Sequence, residues 1–144
     1  MSRDHGKLRV FHDTHTLTLA IYEHTREFPR DEWFGLRAQM RRAAVSTASN
    51  LVEGNARGST RDYVRFLHMA LGSACELKYL AALTLELGYV NRLPWAEVLK
   101  QCDAVVRQLE RLVQRMEQIA SQEHTSRPRD RRPETEVRGP ETGD

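Results

Sequence analysis

The sequence predicts an all-α protein, an antiparallel up-down four-helix bundle followed by a disordered C-terminal tail. Three observations predict it. Apolar residues recur at intervals of three and four over four long stretches, and those stretches are separated by short breaks at Pro, Gly and Asn. Aromatic residues make up only 7% of a chain in which Leu is common, and straight-chain residues lose little rotamer freedom in a helix. The 144 residues leave room for one domain, assigned to residues 1–123, with 124–144 as the tail.

The first helix is read from about Phe11 to Phe28 on the line Phe11, Leu17, Ile21, Thr25 and Phe28, and Phe28-Pro29 stops it. Asp31 stands in position to cap the second helix, and Glu32 favours its first turn. Trp33, Leu36, Met40, Ala43, Thr47 and Leu51 carry that helix to Gly54. Gly54 to Ser59 is a turn by composition, and Ser59 or Thr60 can cap the third helix. It extends to Leu87 with Gly88 just beyond it, about 28 residues or roughly 40 Å. Apolar residues cover much of its circumference, so it expects neighbours on more than one side.

Pro94 fits the first turn of the fourth helix. Its residues Trp95, Leu99, Cys102, Val106, Leu109, Val113, Met116 and Ala120 alternate spacings of four and three, beside Val98, Val105, Leu112 and Ile119. From His124 onward the chain holds three Pro, two Gly, five Arg and five acidic residues, with Val137 the single aliphatic residue. That is too little apolar surface to offset the entropy of ordering.

Several function classes are disfavoured. No stretch approaches the ~20 apolar residues of a membrane span, and Met1 to Val10 lacks the apolar core of a signal peptide, so a cytoplasmic location is expected. Cys75 and Cys102 read as small core hydrophobes in a reducing compartment. His12 and His15 share a helix face, but no Glu-x-x-His motif appears on two helices, so no metal is expected. No nucleophile, phosphate-loop or cofactor arrangement is present, which points to a non-enzymatic protein without catalytic residues or cofactors.

Two polar lines remain. On the second helix Gln39, Arg42, Ser46, Asn50 and Glu53 share one face; on the third, Asp62, Arg65, Met69, Ser73 and Glu76 make a partly polar counterpart. Either each is a solvated face, or Gln39, Ser46, Asn50, Glu53, Ser73 and Glu76 form a hydrogen-bonded network where helices or subunits meet. Between Arg37 and Arg65 six arginines (Arg37, Arg41, Arg42, Arg57, Arg61 and Arg65) face two acids, a local balance of +4 in a chain of net charge +2. Arginine suits bidentate phosphate recognition. The competing reading commits several of them to Glu53, Asp62, Glu76 or backbone carbonyls.

The runs Phe28-Pro29-Arg30-Asp31-Glu32-Trp33, Gln39-Met40-Arg41-Arg42-Ala43-Ala44-Val45-Ser46, Ser49-Asn50-Leu51-Val52-Glu53-Gly54 and Ala70-Leu71-Gly72-Ser73-Ala74-Cys75-Glu76-Leu77 carry a resemblance. Over about residues 8–120 the chain resembles the bacterial four-helix bundle protein family, first met as the product of intervening sequences in 23S ribosomal RNA genes. The resemblance implies a homopentamer and kinship with the accessory variability determinant of diversity-generating retroelements, a basic barrel that works with a reverse transcriptase. RNA or DNA binding through the arginines is what it suggests; a protein interaction and assembly module is the alternative. The family's signature positions carry over as Gln39, Arg42, Ser46, Asn50, Glu53, Gly54, Arg57, Gly72, Ser73 and Glu76. One departure stands out, because Ala48 occupies the place where the family commonly has proline after the double arginine, which implies a straighter second helix.

Overall fold

The computed structural model describes residues 2–127, with side chains from residue 6 onward. It contains α1 (Ser2–His24), a 3-10 turn (Arg30–Glu32), α2 (Leu36–Asn55), α3 (Thr60–Glu86) and α4 (Arg92–Ser126). The helices pack in a ring in which α1 and α3 each pack along both α2 and α4. The expected four-helix bundle is therefore the observed one, and short connections make neighbours antiparallel.

The core explains why each stretch is helical in this register. Met40, Leu67, Leu77, Val98, Val105 and Leu109 are fully buried, and Trp95 is the largest side chain among them. Burial of each large apolar side chain contributes roughly 1.5–3 kcal/mol. Trp95 also places its polar atom well, since its Nε1 donates to the Ala81 carbonyl of α3 at 2.8 Å. Its ring meets Phe28, which packs in turn on Tyr89. These three aromatics close one end of the bundle.

Caps follow the sequence closely on α3. Ser59 accepts from the Asp62 amide at 3.1 Å. At the other end Gly88 has φ +76°, and the Gly88 and Tyr89 amides donate to the Leu85 and Thr84 carbonyls. That pair of bonds is a Schellman ending, which needs a residue tolerant of the left-handed region. The helix has the two neighbours its apolar circumference implied, although Met69 and Tyr79 remain exposed.

Other expectations need correction. Helix α1 begins nine residues before Phe11, and its buried line is Val10, Thr14, Leu17 and Ile21. Phe11 lies one position, or about 100°, off that line and stacks outward on His15. The helix also stops at His24; Phe28 is buried beyond its end. Asp31 does not cap α2. Trp33 Nε1 donates back to the Phe28 carbonyl at 3.0 Å, which holds residues 30–32 in a tight turn, and α2 starts only after Gly35.

Cys75 is exposed and Cys102 is buried; both are free thiols. Cys75 follows the buried Ala74 by one position and so falls off the core face of α3. Burial pushes the Cys102 thiol up to about 12. Helix α4 continues through His124, Thr125 and Ser126, residues assigned in the sequence to the tail. The remainder of the expected tail, 128–144, lies outside the described residues. Helix α2 runs unbroken past Ala48, and Thr47 beside it is buried and donates to the Ala43 carbonyl at 2.8 Å.

Gly54 offers a clean test of the α2–α3 seam. A Cβ there would lie 2.9 Å from Phe66 Cβ and 3.1 Å from Tyr63 Cδ2. Glycine to alanine inside an open helix stabilises by about 0.5–1 kcal/mol. Here Gly54→Ala is expected to cost about 1–3 kcal/mol through overpacking. Denaturant unfolding measures it, and a gain in stability would show that the seam yields.

Candidate nucleic-acid interface

The six arginines of the α2–α3 hairpin do not form one patch. Helix α2 has 20 residues, so its two ends stand about 30 Å apart. Arg37 and Arg41 lie at its start, and Arg57, Arg61 and Arg65 lie around the turn after its end. Arg42 follows Arg41 near the start of the same helix and is exposed.

In the first group Arg41 is committed to the fold. Arg41 Nε donates to Thr25 Oγ1 at 3.0 Å, its Nη2 donates to the Tyr22 carbonyl at 3.1 Å, and its guanidinium lies 4.6 Å from the Tyr22 ring centroid. It thus satisfies a carbonyl in the last turn of α1, where a cation complements the helix dipole. Burial, and secondarily the charge of Arg37, lower the Arg41 guanidinium from its ordinary value. Arg37 itself lies 4.6 Å from the Trp33 ring centroid. The sequence left backbone capping open as the competing role of these arginines, and for Arg41 it is the observed one.

The second group is differently placed. Arg57 and Arg65 lie 4.6 and 4.9 Å from the Phe66 ring centroid. Arg65 also approaches Asp62 at 3.8 Å, an exposed i,i+3 pair of little energetic weight. Arg57, Arg61 and Arg42 make no ion pair among the described residues. Lys7, from the first turns of α1, lies 4.3 Å over the Tyr63 ring. Lys7 and Arg57 line a cleft of about 170 Å³ with Asn55, Ser59, Thr60 and Tyr63. Burial pushes the Tyr63 phenol up to about 12, so it stays protonated beside these cations. The α3 N-terminus opens onto the same cleft, adding backbone N–H groups and the positive end of the helix dipole.

Lys7 was invisible to sequence reasoning because it is some fifty positions from Arg57. Antiparallel packing puts the start of α1 beside the end of α2. Of the acids of this end, Glu123 accepts from Thr60 at the cleft at 3.0 Å, and Glu117 pairs with His68 at 2.7 Å.

The polar lines resolve into one connected group and several solvated residues. Ser46 Oγ and Ser73 Oγ are 2.8 Å apart across the α2–α3 seam. Asn50 Nδ2 donates to the Ser46 carbonyl at 2.9 Å and to Ser46 Oγ at 3.3 Å. Gln39, Glu53 and Glu76 are exposed and make no side-chain hydrogen bond among the described residues. Gly72 sits exposed beside Ser73, with open space where a side chain would be. The network is thus Ser46, Asn50 and Ser73 between helices of one chain.

No three of His, Cys, Asp and Glu are gathered to hold a metal ion among the described residues. No described helix is long and apolar enough to cross a membrane.

A double-mutant cycle on the seam separates its hydrogen bond from mere packing. Ser46→Ala and Ser73→Ala should each cost about 1 kcal/mol, and the double variant little more than either. Additive losses in denaturant unfolding would mean the hydroxyls act independently.

The comparisons with known proteins come to bear on this geometry. The family described as 23S rRNA-intervening sequence protein matches residues 6–111. No curated protein matches the chain. A crystal structure of a protein of unknown function from the S23 ribosomal protein family of Bacteroides thetaiotaomicron is similar in fold, with a TM-score of 0.70 at 18% identity. The match covers 76% of this chain and 98% of that one. The matched residues span α1 to most of α4, and thus both the cleft and the seam.

Proposed function

Because the chain belongs to the 23S rRNA-intervening sequence protein family, we propose that it is a non-enzymatic, cytoplasmic, homo-oligomeric scaffold, a pentamer, that binds RNA or DNA by phosphate contacts at the α2–α3 turn. One observation carries this reading. Lys7, Arg57 and Arg61 gather at a single end of the bundle without a carboxylate partner among the described residues. Such cations release counterions when they meet a phosphate backbone, and that term supplies most sequence-independent affinity. Phe66 and Tyr63 are buried beneath them, so neither ring is free to stack on bases, and backbone rather than base recognition fits. The resemblance to the retroelement determinant supports a setting in which a reverse transcriptase works on the bound nucleic acid.

A salt titration tests it. Four cations at the turn, Lys7, Arg57, Arg61 and Arg65, give an expected slope of roughly −3 in log K against log salt. Arg57→Glu combined with Arg61→Glu is expected to abolish binding, while Arg41→Met leaves it in place. Salt-independent retention, or none at low salt, would sink the reading.

The assembly alternative is favoured by a different surface. Leu8, Phe11, Leu19 and Tyr22 form an exposed line along α1, with Leu8 at 65% and Leu19 at 59% exposure. Their spacing, with His15 between, places them on one face. Thr18 Oγ1 reaches the Ala44 carbonyl at 3.4 Å, so this flank adjoins α2, where Val45 and Val52 are also exposed. A contiguous apolar strip of this kind suits a second copy of the chain. Leu8→Glu with Leu19→Glu is expected to reduce the mass measured by light scattering to that of one chain. An unchanged mass removes this face from the assembly.

A further inference from the structure

A second set of arginines lines the groove between α1 and α4, next to the turn cleft, whose Lys7 and Met116 follow Gly6 and Arg115 in the chain. Gly6 and Arg9 of α1 face Gln108, Arg111, Leu112 and Arg115 of α4 across a cleft of about 310 Å³. Three features of this cleft are unexplained by the fold.

The charge is uncompensated. Arg111 and Arg115 stand four positions apart on α4, where side chains are neighbours and like charges repel. Neither makes an ion pair among the described residues. Arg9 reaches Asp13 Oδ2 only at 3.9 Å, and that oxygen already accepts from Gln108 Nε2 at 2.7 Å. Asp13 therefore approaches Arg9 and Gln108, and it makes no ion pair with Arg111 or Arg115 among the described residues.

A buried donor is also left unmet. Arg115 Nε is shielded from solvent and has no hydrogen-bond partner among the described residues. Burying a polar atom of a charged group without a partner is costly. Finally, the floor of the cleft depends on a glycine. A Cβ at Gly6 would lie 3.0 Å from Arg115 Nη2 and 3.4 Å from Nη1, so the guanidinium takes the space that a side chain on α1 would fill. Glycine inside a helix is unfavourable, and here it admits the arginine.

We propose that this cleft is an oxyanion site that takes a phosphate group, held by Arg111 and Arg115 with Arg9 at its mouth. Guanidinium forks match phosphate oxygens bidentately. A tetrahedral anion offers oxygens to two or three guanidiniums at once, whereas a carboxylate satisfies one fork. The cleft is larger than a bare phosphate, which leaves room for the rest of a phosphomonoester or for the neighbouring sugar of a nucleic-acid backbone. The site lies on a different groove from the turn and does not rest on the function proposed above.

Arginine Nε–Hε signals of the full chain, followed by NMR, test it. Inorganic phosphate is titrated against chloride at equal ionic strength. The Arg111 and Arg115 signals are expected to shift saturably with phosphate and not with chloride. Arg111→Gln, at an exposed position, should weaken the response by about tenfold or more, the loss of a charge-assisted bond. Gly6→Val keeps every charge but displaces the Arg115 guanidinium, and should weaken it likewise. No saturable shift, an equal response to chloride, or an Arg111→Gln variant that responds normally overturns the site. Adenosine monophosphate and a single-stranded oligothymidylate then identify the source. Tighter binding of the monophosphate identifies a phosphomonoester, and tighter binding of the oligonucleotide identifies a nucleic-acid backbone. The Arg57→Glu, Arg61→Glu variant is expected to keep the inorganic phosphate response. Its loss there would move the phosphate to the turn and overturn the α1–α4 site.

Discussion

Gly54 brings the backbone of α2 against Phe66 and Tyr63 so closely that a methyl group there would lie 2.9 Å from Phe66 Cβ. The charged end of the bundle depends on that approach. With the helices this close, Phe66 is buried and offers its ring to Arg57 and Arg65, while the ring of Tyr63 supports Lys7. Two turns earlier on α2 the same tight spacing allows the Ser46 and Ser73 hydroxyls to meet directly at 2.8 Å. A bulkier residue at 54 would open the seam and dismantle both arrangements.

The arginines divide by what surrounds them, not by their sequence neighbourhood. Arg41 is drawn inward, and its donors satisfy Thr25 and the Tyr22 carbonyl. A guanidinium with that many fixed partners has little left to offer a ligand. Around the α2–α3 turn the guanidiniums of Arg57 and Arg65 lie 4.6 and 4.9 Å from the Phe66 ring centroid, without the carbonyl and hydroxyl partners that hold Arg41. The distinction between a structural and an available arginine is therefore one of donor satisfaction.

Much of the fold was legible before any coordinates. The alternating spacing from Trp95 to Met116 marks a buried face, and all nine buried residues of α4 stand on the two lines read there, with Val105 and Val106 both included. Ser59 and Gly88 announced the two ends of α3 because capping depends on residues within a turn of each other. The first helix was read less well. Thr14 is polar by name yet buried, and its place in the core line drew attention to Phe11 instead. Asp31 looked like a cap because its type is right; the Trp33 indole, bonded to the Phe28 carbonyl, made a different turn there.

For the candidate sites, residue type and spacing identified Arg57, Arg61, Ser46 and Ser73, but not which would meet. Lys7, Arg111 and Arg115 went unremarked because no local pattern joins them to their neighbours in space. What the sequence determined by itself is the set of helices, their buried faces and most of their ends, since those follow from periodicity and from bonds spanning a few residues. Only the tertiary structure decided which cations are neutralised and which remain open, because their partners come from helices distant in the chain and charge compensation is settled by packing.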